Sequence, residues 1–251
     1  MSTRLRVATL NIRNLADRWE ERLPLLLADT AALRPDILGL QEVVYPMQQD
    51  RLLAAGTPDE YEVHRGWAGR PEYGNSLLVR APLGTTGGGP QRLDLGLQRA
   101  AHRAVVVLPG GATLLVAVTH LHHRVPDAAL RDEQAAALVG WLDAAPATTG
   151  QVVMGDFNAD PGEPAYARMV AAGFRSAYPE ANGIEPAVTW PSGLQAPAMD
   201  TDGEASCLDY IWLRGAARSV HARLWADRPA ADDPTLYPSD HVGVVATVEA
   251  E

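Results

Sequence analysis

The chain has 251 residues, of which 47% are hydrophobic and 21% charged, and this composition excludes a mainly disordered protein. Its 31 acidic residues outnumber its 21 basic residues, so a net charge of −10 argues against holding duplex nucleic acid mainly by charge. A local basic groove on an acidic body stays open. The single cysteine, Cys207, excludes an intramolecular disulfide and a multi-cysteine zinc site.

The length suits one folding unit, and we expect residues 1–251 to form a single domain. No targeting segment is visible at the start, where a few polar residues lead directly into an alternating, strand-like run. No apolar run approaches the roughly 20 residues that a membrane-spanning helix needs. The sequence therefore predicts a cytoplasmic protein without a membrane span.

The hydrophobic pattern predicts strands and helices in alternation. In chain order, the predicted strands are Leu5–Ile12, Asp36–Glu42, Ser76–Arg80, Ala104–Leu108, Thr113–Thr119, Gln151–Gly155, Leu208–Leu213 and Val242–Val248. The predicted helices are Glu20–Leu33, Met47–Ala55, Asp127–Ala144 and Pro164–Ala172. Gly84–Pro90 is predicted as a turn and Ser176–Ser206 as a long irregular stretch. Such alternation by itself allows either an open doubly wound sheet or a duplicated sheet arrangement.

Polar side chains collect at the ends of these predicted strands, where a rigid element fixes a reactive group and the next loop admits substrate. They are Asn11, Glu42, His120, Asp156, Asn158, Asp240 and His241. Each of them also has a structural interpretation, such as a turn that closes the strand or a strand cap. Asp209 is different, because it lies inside the apolar run Leu208–Leu213, and a buried carboxylate must be paired or hydrogen-bonded.

Taken in order, these motifs resemble the endonuclease/exonuclease/phosphatase superfamily, whose DNase I-like fold includes neutral sphingomyelinases and inositol-polyphosphate phosphatases. The resemblance rests on Asn11, Gln41-Glu42, Thr119-His120-Leu121, Gly155-Asp156-Phe157-Asn158, Thr189-Trp190, Leu208-Asp209-Tyr210-Ile211 and Ser239-Asp240-His241. It implies an α/β fold, a four-layer α/β/β/α sandwich of two face-to-face mixed sheets with helices outside. The site is then expected at one end of the sheet pair.

The same resemblance implies an enzyme that hydrolyses a phosphate ester by direct in-line attack of water and needs Mg²⁺ or Mn²⁺. Hard oxygen ligands suit these cations better than zinc. The implied metal ligands are Glu42, Asn11 and Asp240.

The resemblance also implies roles in proton transfer. His241 is the expected general base and Asp209 the residue that orients it. Asp156 is the other candidate to align or deprotonate the attacking water, and the choice between the two stays open. Asn158 and His120 are expected to donate hydrogen bonds to phosphoryl oxygens. The remaining candidate residues, described next, match the family pattern less specifically.

Asn75, which follows Tyr73-Gly74, is predicted either to bind phosphate or to close a turn. His120 and His122 share one face of a strand, so a soft transition-metal pair is conceivable. The resemblance instead makes His123, together with Arg131 and Gln134, a supporting residue behind the site.

One departure from the family pattern concerns the segment before Leu-Asp-Tyr-Ile, where relatives carry a basic residue and this chain has Ser206-Cys207. Arg103 is then either a compensating cation or an exposed strand residue. Neither interpretation removes a residue that the expected chemistry needs.

Loop charge separates the candidate substrates. Two stretches, Trp67–Tyr73 and Ser176–Ser206, are expected to face substrate, and the second carries the carboxylates Glu180, Glu185, Asp200, Asp202 and Glu204. Repulsion from these carboxylates opposes a long polyanion, above all duplex nucleic acid. A small phosphodiester, a phosphorylated metabolite or a lipid headgroup is therefore favoured, with a nuclease on short or single-stranded nucleic acid as the alternative. A non-catalytic scaffold is disfavoured because every implied site residue is present, and no obligate protein partner is indicated.

Overall fold

The computed structural model describes residues 3–197, 199 and 203–250, so Asp200 and Asp202 of the expected substrate loop lie outside the described residues. The strands are β1 (Thr3–Asn11), β2 (Ile37–Val44), β3 (Tyr61–Ala68), β4 (Arg70–Arg80), β5 (Gly84–Gly96), β6 (Arg99–Val107), β7 (Thr113–His120), β8 (Gly150–Asp156), β9 (Arg175–Ser176), β10 (Asp209–Gly215), β11 (Ala217–Trp225) and β12 (Gly243–Ala250). The helices are α1 (Trp19–Leu33), α2 (Gln49–Ala55), α3 (Ala128–Asp143), α4 (Pro164–Ala171) and α5 (Ala177–Asn182). No helix in the described ranges is long and apolar enough to cross a membrane.

The strands form two six-stranded mixed sheets of matching design. The first has the order β11-β12-β1-β2-β4-β3, and the second has the order β5-β6-β7-β8-β10-β9. Near the middle of each sheet two strands run parallel, β1 with β2 and β7 with β8, while the other neighbours are antiparallel. The strands of each parallel pair therefore end at the same edge of their sheet.

The two sheets face each other across an apolar core to which both contribute. Val7 and Ile37 of the first sheet pack with Val118 and Met154 of the second, and all four side chains are fully buried. Gly39 allows this close approach, because a Cβ atom there would lie 2.7 Å from Met154. The inner faces of both sheets are thus covered by each other.

The outer faces are covered by helices. One apolar cluster packs α3 and α4 on the second sheet, for example Leu138 against Leu115. Another packs α1 and α2 on the first sheet, for example Leu26 against Leu38. Strands such as β7 are apolar on both faces because both faces are buried. These layers confirm the predicted α/β/β/α sandwich and exclude an open doubly wound sheet.

Every predicted strand and helix is present, with ends shifted by a few residues, but β3, β5, β9 and β11 were not predicted. The turn predicted at Gly84–Pro90 is wrong, because this segment belongs to β5, whose pairing with β6 shifts register between Thr86 and Gln91. The expected loop Trp67–Tyr73 is the tip of the β3–β4 hairpin. The stretch predicted as irregular contains α5 and a bridge between Trp190 and Ser206.

Candidate active site

A cavity of about 630 Å³ lies at the end of the sandwich where β1, β2, β7 and β8 finish and where β10 and β12 begin. Seven of the nine predicted site residues line it: Asn11, Glu42, His120, Asp156, Asn158, Asp240 and His241. Asp209 is buried in contact with one of them, and Asn75 is not among the lining residues. Residues up to 230 positions apart in the sequence thus line the same cavity.

Strand register brings the scattered motifs together. Asp156 at the end of β8 is the parallel partner of His120 on β7 and the antiparallel partner of Asp209 on β10. Gly155 makes this possible, since its φ is +146° and a Cβ atom would lie 2.0 Å from the backbone oxygen of Thr119. The Gly-Asp-Phe-Asn motif therefore needs its glycine for close strand packing.

The centre of the site is a buried imidazole between two carboxylates. His241 Nδ1 lies 2.9 Å from Asp209 Oδ2, and its Nε2 lies 3.6 Å from Asp156 Oδ2. Burial opposes a charge on this ring, but the carboxylates of Asp209, Asp156 and Asp240 outweigh burial and raise the pKa of His241 to about 10. The second oxygen of Asp209, Oδ1, is buried without a hydrogen-bond partner. The neighbouring carboxylates therefore favour the protonated form of His241.

Asp156 is the carboxyl group with the most perturbed proton affinity in this cluster. Burial, with a smaller contribution from the charge of Asp209, raises the pKa of Asp156 to about 7, against the opposing charge of His241. Its Oδ2 accepts a hydrogen bond from Asn11 Nδ2 at 3.0 Å, and its Oδ1 accepts one from the Asn158 backbone N–H at 2.9 Å. A carboxyl group with such a pKa can accept or release a proton near neutrality.

Glu42 is directed into the cavity by an irregularity of β2. Its φ is +60°, and the pairing of β2 with β4 shifts register between Leu40 and Val43. Two amides donate to its carboxylate, Asn11 Nδ2 at 3.3 Å and Asn14 Nδ2 at 2.6 Å. The carboxylate is thus oriented by neutral donors, which leave its negative charge in place.

The other two predicted metal ligands differ from each other. Asp240 Oδ2 lies 3.4 Å from Trp190 Nε1 and 3.5 Å from Arg13 Nη1. Asn11 Oδ1 accepts the backbone N–H of Arg13 at 3.0 Å, so its NH₂ group is turned toward Glu42 and Asp156. In this arrangement Asn11 orients both carboxylates, and its role as a metal ligand stays a prediction.

The charge distribution and the donor types fit a hard divalent cation. The carboxylates of Glu42, Asp156 and Asp240 all line the cavity, and the raised pKa of Asp156 shows that its negative charge is poorly compensated. Within the described residues, the compact His/carboxylate group is Asp156, Asp209 and His241, whose ligand atoms lie within 4.8 Å of one another. This group coincides with the predicted proton-transfer residues and not with the predicted ligands.

His120 lies beneath an arginine that the sequence did not indicate. Arg99 Nη1 is 3.0 and 3.1 Å from the two ring nitrogens of His120, and Arg99 Nη2 is 3.0 Å from His123 Nδ1. Burial, reinforced by the charge of Arg99, lowers the pKa of His120 well below its usual value, so the ring is neutral. Asn158 donates one amide hydrogen to the Leu121 backbone oxygen at 3.1 Å.

Several cavity residues escaped prediction, among them Arg13, Asn14 and Arg99. Asn14 had a signal, because it lies three positions after Asn11 in the same polar segment. Arg99 had none, because it reaches the cavity from the tip of the β5–β6 hairpin, where Leu97 and Gln98 have positive φ. Only the packing of that hairpin brings the guanidinium to His120.

The turn interpretation of Asn75 is wrong, and its phosphate-binding role stays a prediction that its contacts do not favour. Asn75 lies inside β4, its Nδ2 donates to the Ala100 backbone oxygen at 2.9 Å, and its own backbone oxygen accepts the Tyr45 hydroxyl at 2.7 Å. The residue therefore joins the two sheets and closes no turn. The conceivable metal pair of His120 and His122 is also unsupported, because His122 Nε2 is 2.8 Å from Asp127 Oδ2.

The residues expected behind the site have supporting contacts. Gln134 Oε1 accepts the His122 N–H at 2.9 Å, and Arg131 is fully buried against Glu163 and backbone oxygens. Arg131 also lines the cavity, as does His123. Both interpretations of Arg103 are wrong, because its buried guanidinium donates to Gln91 Oε1 and to the Trp141 backbone oxygen. These contacts hold the β7–α3 loop and the outer face of the second sheet.

Comparison with protein families and curated proteins gives two findings. The model of the endonuclease/exonuclease/phosphatase family matches residues 8–241. Nocturnin of Xenopus laevis is 28% identical to this chain over 91% of the chain and 64% of the relative. The chain thus spans less than two thirds of that relative's length.

Solved structures share the fold. TDP2 of D. rerio, complexed with single strand DNA product, superposes with a TM-score of 0.79 at 18% identity and covers 98% of this chain and 99% of its own. The human Nocturnin catalytic domain with bound sulfate anion has a TM-score of 0.75 at 24% identity and covers 99% of this chain and 95% of its own. At these identities the similarity shows the fold alone.

Proposed function

The chain belongs to the endonuclease/exonuclease/phosphatase family, and from that premise we propose that it is a divalent-metal-dependent phosphoesterase that attacks phosphorus directly with water. The observation that carries the proposal is the buried row of Asp209, His241 and Asp156 beside a cavity lined by further carboxylates. A row of this kind can move a proton, and the carboxylates supply the oxygen ligands of a hard cation. Membership of the family agrees with the predicted class of phosphoric ester hydrolases.

Glu42 and Asp240 are the residues that would hold Mg²⁺ or Mn²⁺. A bound divalent cation would neutralise negative charge on the phosphoryl oxygens. Asn11 and Asn14 hold the Glu42 carboxylate by its two oxygens, and so fix the direction in which it faces the cavity. Loss of Glu42 should therefore abolish metal-dependent activity without unfolding the chain.

Proton transfer is divided between His241 and Asp156. Asp209 fixes the ring of His241 through Nδ1, which leaves Nε2 on the side of Asp156. Because His241 is held as imidazolium by its carboxylate neighbours, we assign it the role of a donor to phosphoryl oxygen at neutral pH. Asp156, with a pKa of about 7, is then the acceptor for the proton of the attacking water. This assignment differs from the expectation that His241 is the base.

Phosphate binding is assigned to Arg99 with His120 and Asn158. Arg99 contacts two histidines and, in the part of the chain that the structure describes, forms no ion pair with a carboxylate. Its charge is therefore available to an anionic substrate, whereas Arg13 and Arg131 contact Asp240 and Glu163. A guanidinium is suited to this role because its fork of N–H donors matches phosphate.

The cavity volume of about 630 Å³ suits a small phosphodiester, a phosphorylated metabolite or a lipid headgroup. The charge argument against nucleic acid is weaker in the structure than in the sequence. Glu180 pairs with Arg175, Glu185 accepts the Tyr166 hydroxyl, and neither lines the cavity, so among the described carboxylates of the stretch Ser176–Ser206 Glu204 alone lines it. The end of a short or single-stranded nucleic acid is therefore kept as the second candidate, in line with the DNA product bound to the TDP2 relative.

The proposal is tested with bis-p-nitrophenyl phosphate in Mg²⁺, in Mn²⁺ and in EDTA, for the wild type and for Glu42→Gln and His241→Ala. We expect hydrolysis that needs metal and that both variants lose. Absence of hydrolysis under every condition, including a panel of phosphomonoesters, nucleotides, oligonucleotides and phospholipids, would favour the non-catalytic scaffold. The panel also decides between the two substrate candidates.

A further inference from the structure

A fully buried arginine lies under the cavity and is surrounded by carbonyl groups. Arg22, the fourth residue of α1, has no exposed surface. Its guanidinium donates to five backbone oxygens, those of Ile12 at 3.0 Å, Arg13 at 3.1 Å, Ala16 at 2.6 Å, Asp17 at 2.7 Å and Pro238 at 2.9 Å. All five N–H donors of the side chain are used in this way. Burial of a cation without a directly contacting carboxylate is costly, which calls for a reason.

Four of these oxygens belong to a strained segment. Within residues 12–18, positive φ occurs at Arg13 (56°), Asn14 (35°), Asp17 (50°) and Arg18 (65°). Such conformations are unfavourable for a residue that carries a side chain, and they persist only where surrounding contacts enforce them. The hydrogen bonds from Arg22 to the carbonyls of this segment are contacts of that kind.

The strained segment contacts Glu42 and Asp240, the two residues that would hold the cation in the proposed function. Asn14 Nδ2 donates to Glu42 Oε2 at 2.6 Å, and Arg13 Nη1 lies 3.5 Å from Asp240 Oδ2. The fifth bond of Arg22 reaches Pro238, directly before Ser239-Asp240-His241. Ser239 Oγ in turn donates to the Asn11 backbone oxygen at 2.6 Å. One guanidinium therefore joins both segments that carry the metal-facing groups.

We propose that Arg22 is a positioning residue that sets the geometry of Glu42 and Asp240 by fixing the backbone of residues 12–18 and 238–241. The inference rests on the proposed metal-dependent function. Arginine is required because its planar fork reaches five carbonyls, whereas a lysine ammonium has three donors at one point. Substitution by lysine keeps the charge and removes the cross-link.

The experiment measures Mn²⁺ binding and amide hydrogen exchange in the full chain for the wild type and for Arg22→Lys. We expect the variant to fold, to bind Mn²⁺ about tenfold more weakly, and to exchange faster at residues 12–18 and 238–241. Arg103→Lys is the matched control, because Arg103 is also buried and donates to the Trp141 backbone oxygen and to Gln91 Oε1, but it does not line the cavity. The control should leave Mn²⁺ affinity within about twofold, as expected for a side chain outside the metal-facing segments.

A folded Arg22→Lys with unchanged Mn²⁺ affinity would overturn the proposal, as would faster exchange in α1 alone. If Arg22→Lys does not fold, Asn14→Ala decides, because it removes the contact between the strained segment and Glu42. Unchanged Mn²⁺ affinity in Asn14→Ala would then refute the positioning of Glu42. The wild type could hydrolyse no phosphoester and still bind Mn²⁺ more tightly than Arg22→Lys does. That result would refute the proposed function and leave the positioning role of Arg22 intact.

Discussion

Two arginine-bearing cavities lie at opposite ends of β1, and they treat charge differently. The second cavity, of about 350 Å³, is lined by Arg4, Leu5, Arg6, Arg34, Asp36, Arg80 and Thr247. Most of its cations have carboxylate partners, since Arg80 pairs with Asp36, and Arg34 contacts both oxygens of Asp59 at 2.7 and 2.8 Å. The charges of this cavity are largely satisfied by the protein itself.

The candidate active site leaves its charges incompletely satisfied. Asp209 Oδ1 is buried without a partner, Glu42 is held by amides, and Arg99 contacts only histidines among the side chains described. Buried groups that lack partners cost free energy, so they indicate chemistry or a ligand that compensates them. Size and arginine content alone would not distinguish the two cavities.

The largest expected effect is at His241. His241→Ala should lower kcat on a phosphodiester by about 10³–10⁴, because it removes the group that carries the proton. Steady-state kinetics at saturating Mg²⁺, with circular dichroism as a folding check, measures this. Arg80→Ala in the second cavity is the control and should retain full activity. If His241→Ala and Arg80→Ala lose activity to a similar extent, the candidate active site and the second cavity do not differ in function.

Asp156→Asn should lower activity and stabilise the metal-free protein at the same time. The pKa of about 7 in the folded state lies above the ordinary value of 3.8, so the unfolded chain releases this proton first as pH rises. The unfolding free energy of the wild type should therefore decrease as the pH rises from about 4 to about 7. Urea unfolding in EDTA at several pH values should show a flatter profile for Asp156→Asn. If the unfolding free energy of Asp156→Asn depends on pH as steeply as that of the wild type, the raised pKa of Asp156 is wrong.

Arg99→Ala should raise KM about tenfold with a smaller change in kcat, as expected for loss of one charge-assisted contact to substrate. Arg99→Lys keeps the positive charge but lacks the forked N–H donors of the guanidinium. Its KM should lie between those of Arg99→Ala and the wild type. The comparison requires steady-state kinetics on one phosphodiester. If KM is unaffected in both variants, the unpaired guanidinium does not serve substrate binding.

The smallest effect is expected in the second cavity. Arg34→Ala should lower the unfolding free energy only slightly, because about half of the Arg34 side chain is exposed and solvent screens its pair with Asp59. Activity should remain within about twofold of the wild type, in line with a purely structural pair. Chemical denaturation and the phosphodiester assay measure the two quantities. A tenfold loss of activity would mean that this cavity communicates with the site.

Apolar runs predicted the central strands well, because strands covered on both faces are apolar throughout. Edge strands were missed for the opposite reason. In β11, Arg218 and His221 alternate with apolar residues in a segment that solvent reaches on one side, and β5 contains a glycine-rich run without periodicity. The site was predicted through motifs at strand ends, but Arg99 and Arg22 lie outside any motif. A single domain, the cytoplasmic location and the absence of an obligate partner stay predictions.

The sequence by itself indicated most of the polar side chains at the cavity, because each motif follows a strongly apolar strand whose end is easily located. The layers followed only from the family resemblance that these motifs carry. Only the tertiary structure decided how these groups are used. Register placed Asp156 opposite both His120 and Asp209, and the resulting burial altered its proton affinity. Proton affinity and hydrogen bonding depend on neighbours distant in the chain, which no local pattern of residues encodes.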